Sequence, residues 1–125
     1  MFLGDLPCGG VYTSEMGRIV GVNEEFTRIT GWTQEQLEGE LLDAVLSGGA
    51  RIFCQTHLWP LLIQNGRIAE VYFHLRHKEG HRVPTYTNAR VIIRDGKTRI
   101  LWVFFSADER RQFEAELIAL RRQSE

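Results

Sequence analysis

A chain of 125 residues, 43% hydrophobic and 25% charged, has the size and composition of one globular domain with a core of its own. Its formal net charge of −1 excludes the basic excess that nucleic acid or an acidic lipid surface calls for. No apolar run approaches the ~20 residues that cross a bilayer.

The opening "MFLGDLPCGG" has neither the charged start nor the long apolar run of a signal peptide. Cys8 and Cys54 are too few for a disulfide framework and are expected as reduced thiols of a cytoplasmic protein.

In chain order, "GGVYTSEMGRIVGVN" (9–23) predicts two short strands. Val11 and Tyr12 sit in the first, Ile19, Val20 and Val22 in the second, with a tight turn at Gly17. Asn23 is placed to cap a short helix whose first turn carries Glu24 and Glu25, and Gly31 closes it. Thr33 and Gln36 have capping-box spacing and open a second short helix that stops before Gly39. Leu41, Leu42, Val45 and Leu46 follow at helical spacing, ended by Gly48-Gly49.

From about residue 50, "RIFCQTHLWPLL" predicts a helix with Ile52, Thr56, Trp59 and Ile63 on one side. Pro60 kinks or restarts it, and Asn65-Gly66 ends it. Residues 67–77 alternate, with Ala69, Val71, Phe73 and Leu75 on one face and Glu70, Tyr72, His74 and Arg76 on the other. After the turn "KEGH", residues 82–94 alternate again, with Val83, Thr85, Thr87, Ala89, Val91 and Ile93 together. Asp95-Gly96 is a two-residue hairpin signal, and "RILWVFFS" (99–106) is apolar on both faces, as a central strand covered on both sides is.

Three long strands in a meander, two early strands and helices on one face make an α+β fold with a five-stranded antiparallel sheet. Ser106 and Glu109 have capping-box spacing and open a C-terminal helix, where Phe113, Leu117 and Leu120 follow a coiled-coil rhythm over fewer than three heptads.

Cys54 and His57 stand three residues apart and so near one another on a helix. Structural zinc normally takes four ligands, and the spacing of His74, His77 and His81 makes no second ligand pair, so no metal site is expected. A catalytic Cys–His pair needs an orienting base and a water-excluding cleft that this spacing does not supply, and no enzymatic activity is expected of these residues.

The order of elements resembles the PAS (sensory box) fold over nearly the whole chain. "GRIVGVNEEFTRITGWTQEQLEGE" (17–40) is similar to the early PAS signature, and "SADERRQFEAEL" (106–117) to the PAS exit motif, with Ser-Ala-Asp-Glu-Arg where Asp-Ile-Thr-Glu-Arg is usual. The form Thr-His-x-x-Pro-Leu-Leu at residues 56–62 resembles a subgroup that precedes histidine kinase, diguanylate cyclase or serine phosphatase modules.

That resemblance implies a cytoplasmic sensor domain over residues 1–107 and a signalling helix over 108–125 that acts on an effector, with a histidine kinase as the first expectation. It implies a homodimer through Phe113, Leu117 and Leu120. It also implies a pocket between sheet and helices, with His57, Phe53, Phe73, Thr85, Thr87 and Ala89 as candidate lining. The threonines and Ala89 leave room for a small ligand with two hydroxyl anchors, or form a filled core whose hydroxyls bond to backbone.

Haem-binding relatives take an axial histidine from this helix region, which makes His57 the candidate ligand should haem be present. The photoadduct motif of flavin-binding relatives, Asn-Cys-Arg-Phe-Leu-Gln, is replaced by Arg-Ile-Phe-Cys-Gln-Thr, so flavin is not expected. On the outer sheet face, Tyr72, Tyr86 and either Trp102 or Val103 call for cover by a partner or by residues 1–8.

Overall fold

The alternating runs become strands. β1 (Gly9–Ser14) and β2 (Ile19–Val22) form a hairpin whose turn holds Gly17 at φ 87°. β3 (Arg67–Arg76), β4 (Arg82–Arg94) and β5 (Lys97–Ser106) form the meander, with Asp95 and Gly96 both at positive φ as a primed hairpin turn requires. β5 pairs with both β1 and β4, and the antiparallel order is β2-β1-β5-β4-β3. The structure, a computed structural model, describes residues 3–124. Among these no helix is long and apolar enough to cross a membrane.

α1 (Glu24–Thr30) starts at Asn23, whose side chain accepts from the Phe26 N–H, and ends at Gly31 with φ 77°. α2 (Gln34–Leu37) opens with the Thr33–Gln36 capping box. Leu42–Val45 forms a 3-10 turn, and Gly48-Gly49 begins a helix instead of ending one. Leu46 bridges to Leu75 and the Ser47 N–H donates to the His74 carbonyl at 3.2 Å, so the chain is pulled out of helix to pair with β3. Ser47 then caps α3 (Gly48–Phe53) by accepting from the Ala50 N–H.

A π-turn over Cys54–Leu58 joins α3 to α4 (Trp59–Asn65), with the Trp59 N–H donating to the Cys54 carbonyl. Pro60 has no N–H, and its ring presses on the carbonyl four residues back. The wider turn absorbs that conflict without breaking the helix. The buried stripe is Ala50, Cys54, Leu58 and Leu62. Steps of four drift by about 40° each in an ideal α-helix, and the wider π-turn reduces that drift. The side that carries Ile52, Thr56, Trp59 and Ile63 is the outer one: Ile52 is 65% and Ile63 75% exposed, and only Trp59 of that set reaches the core, edge-on to Trp102.

β3 also departs from simple alternation. A bulge between Ile68 and Val71 holds Glu70 at φ 51° and lets its N–H donate to Asn88 Oδ1 at 2.7 Å. Ile68 is therefore buried, and Ala69, expected inward, is exposed.

The core lies between the helices and the inner sheet face, around Phe26, Leu58, Leu62, Leu75, Trp102 and Phe104. Trp102 faces inward, so Val103 takes the outer position opposite Asn88 and Gly10. Leu3 and Leu6 pack over Gly10, where a Cβ would lie 2.9 Å from Leu6 Cδ1 and 3.0 Å from Leu3 Cδ2. The opening segment thus covers the β1–β2 side of the outer face. Among the described residues the β3–β5 side stays open: Tyr72 is 48% and Phe105 44% exposed, so these residues leave part of the outer face of β5 uncovered.

Candidate functional site

The inner sheet face brings Phe73, Thr85, Thr87 and Ala89 together, all buried. Thr85 donates its hydroxyl to the Phe73 carbonyl at 3.1 Å and lies 3.5 Å from the Thr87 hydroxyl. Among the described residues every buried side-chain nitrogen and oxygen has a partner. The hydroxyls of these buried threonines thus have backbone or each other as partners, the arrangement that the filled-core reading calls for.

Phe53 and His57 lie off the buried stripe of the helix. His57 is exposed, its ring stacked on Phe53 at 5.5 Å and its Nδ1 2.7 Å from the Thr56 hydroxyl. The inward positions on this stretch belong to Cys54 and Leu58, and a step of three from Cys54 leads off that stripe. His57 thus stands at the surface, apart from the buried Phe73, Thr85, Thr87 and Ala89. The residues do not fit haem either, because an axial histidine must point into the space between helix and sheet, and this one points out of it.

Cys54 is placed inward, but burial, with the Asp43 carboxylate adding, pushes its thiol up to about 12. Nucleophiles and metal ligands need the thiolate, and at neutral pH Cys54 is the inert, protonated form. Alkylation checks this: iodoacetamide at pH 8 leaves Cys54 unmodified in the folded protein and labels it in denaturant. The unfolded thiol ionises near 9.0, so stability falls as pH rises from there towards 12.

A groove of about 270 Å³ opens between α3 and β3. Buried Phe73 and Ala50 line it, with Phe53, Tyr72, His74, Ser47 and the exposed Arg82. Of the expected pocket residues it brings together Phe53 and Phe73. Sequence reasoning missed Ser47, His74 and Arg82. The groove exists only because Leu46 and Ser47 tie to β3, a pairing distant in sequence. Its volume suits a molecule of a few heavy atoms, below the ~300–1,000 Å³ of ordinary ligand sites.

The profile of the PAS fold family matches residues 2–108. The chain belongs to the PAS family. A PAS domain is a sensory unit of signalling proteins and is not itself catalytic. Phosphoserine phosphatase RsbP of Bacillus subtilis is 30% identical over 123 residues, which is 98% of this chain and 30% of that protein. The chain thus spans under a third of this relative's length.

Among solved structures, the PAS domain of a Colwellia psychrerythraea protein superposes with a TM-score of 0.75 at 16% identity, covering 83% of this chain and 89% of that one. The PAS domain of a LuxR-family transcriptional regulator from Burkholderia thailandensis, solved with ethanol, gives a TM-score of 0.71 at 18% identity over 85% of this chain and 94% of that one. At these identities the likeness concerns the fold.

Proposed function

We propose that this PAS domain is the sensory and dimerising unit of a cytoplasmic bacterial signalling protein. Residues 1–107 sense, and the helix over 108–125 passes the signal to a C-terminal effector. The resemblance by itself put a histidine kinase first. The similarity to RsbP along 98% of the chain favours a serine phosphatase.

One observation carries this reading: α5 (Ala107–Ser124) leaves the sheet with Leu117, Ile118 and Leu120 in solvent. Leu117 is 48%, Ile118 52% and Leu120 61% exposed. Apolar residues at such spacing along a charged helix match a partner helix. The side chains of Phe113 and Glu109 lie outside the described residues. The helix itself begins at Ala107, directly after Ser106.

A route from the groove to that helix supports the relay. Tyr72 lines the groove and stands opposite Tyr86, their rings 5.3 Å apart. Tyr86 stands opposite Phe105, two residues before α5. A small molecule seated against Phe73 and Tyr72 would bias this cross-strand row, provided it binds one arrangement better than the other.

Sedimentation equilibrium tests the helix. The wild-type chain is expected to dimerise, and Leu117→Ala to weaken the dimer by about tenfold or more. A monomeric wild type, or a dissociation constant unmoved by Leu117→Ala, defeats the proposal.

A further inference from the structure

The turn between β3 and β4 gathers three ligand side chains that linear spacing did not pair. The metal-binding atoms of His77, Glu79 and His81 all lie within 4.8 Å of one another. We propose that these three residues form a surface site for a divalent ion of the imidazole-preferring class, Zn²⁺ foremost.

The backbone builds the pair. The His77 N–H donates to the His81 carbonyl at 2.9 Å, and the Gly80 N–H to the His77 carbonyl at 2.9 Å, so the two histidines face each other across a closed turn. Their rings stack with centroids 4.2 Å apart. His77 lies against Gly31 on its far side, where a Cβ would stand 2.7 Å from the ring, so glycine lets the ring lie this close. The Lys78 N–H donates to the Thr30 carbonyl at 2.8 Å and anchors the turn to the end of α1.

His77 Nδ1 accepts from the Glu79 N–H at 3.0 Å, so its one lone pair is engaged, and a metal ion bound at Nδ1 displaces that amide hydrogen bond. Zinc bonds of about 2.0–2.1 Å in tetrahedral geometry put ligand atoms about 3.4 Å apart. The exposed side chains of Glu79 and His81 close the difference by rotation.

Two imidazoles and one carboxylate match Zn²⁺, with water in the fourth position, and do not match the oxygen-rich shells of Mg²⁺ or Ca²⁺. Lys78, Arg76 and Arg82 flank the turn and oppose a cation, so affinity in the micromolar range is expected and not tighter. Bound metal would clamp the β3–β4 turn at the point where it meets α1.

The test is isothermal titration of the tag-free 125-residue chain with zinc chloride, with magnesium chloride as control. One saturable site for zinc and none for magnesium are expected. His81→Ala, at an exposed position that leaves the fold intact, weakens zinc by about tenfold or more, and His57→Ala leaves it unchanged. Amide chemical-shift changes in the wild type are confined to residues 77–81 and Gly31. Absence of saturable zinc binding, or wild-type affinity in His81→Ala, overturns the proposal.

Discussion

Asn23→Ala lowers stability by about 3 kcal/mol, read as the shift of the urea unfolding midpoint at constant slope. The Asn23 side chain is buried and fully used. Its Oδ1 accepts from the Gly10 N–H at 2.8 Å and the Phe26 N–H at 3.0 Å. Its Nδ2 donates to the Cys8 carbonyl at 2.8 Å and the Leu3 carbonyl at 3.0 Å. One side chain therefore caps α1, pins the start of β1 and holds the opening segment against the sheet. Alanine deletes the cap and leaves buried backbone groups unpaired, each a cost of roughly 1–3 kcal/mol that water entry reduces. A loss below about 1 kcal/mol would show that the side chain acts as an ordinary helix cap alone.

Leu58→Ala costs about 3 kcal/mol, and Ile63→Ala stays within about 0.5 kcal/mol of wild type. The two residues lie on one continuous helical stretch and differ little in hydrophobicity. Leu58 is 1% exposed within the core, whereas Ile63 is 75% exposed. Truncating the first removes buried methyl groups and leaves a cavity, while truncating the second removes contact with solvent. The reverse order of costs would place Ile52 and Ile63 on the buried face, and equal costs would contradict the burial of Leu58 against the exposure of Ile63. Thermal or urea unfolding of both, with the π-turn left intact, settles the orientation of the helix directly.

That contrast marks where local sequence stops being informative. Strand placement was legible because alternation is a local signal and each hairpin carries its own turn chemistry, as at Gly17 and Asp95-Gly96. The caps at Asn23 and Thr33 were legible for the same reason. The buried face of the 50–65 helix was not. A count at 3.6 residues per turn assumes an unbroken α-helix, and the π-turn ahead of Pro60 rotates the later residues relative to the earlier ones. The bulge at Glu70 did the same to β3 by shifting one residue across the pleat, so that Ile68 and not Ala69 faces the core.

The candidate sites divide along the same line. Phe73, Thr85, Thr87 and Ala89 were read as inward from their period, and they are buried together. Their use was not readable, because whether the threonine hydroxyls await a ligand depends on the Phe73 carbonyl one strand away. His57 drew attention by its residue type and stands on the surface. His77, Glu79 and His81 drew none, and the closed turn collects them.

By itself, then, the sequence determined the five-stranded α+β frame and the exit helix, since each rests on periodicity and capping within a few residues, and it pointed to the family through the resemblance of its motifs. Tertiary structure alone decided which helix face is buried, where the α3–β3 groove opens and which histidines meet, because contacts between distant residues set the register and the backbone irregularities that aim those side chains.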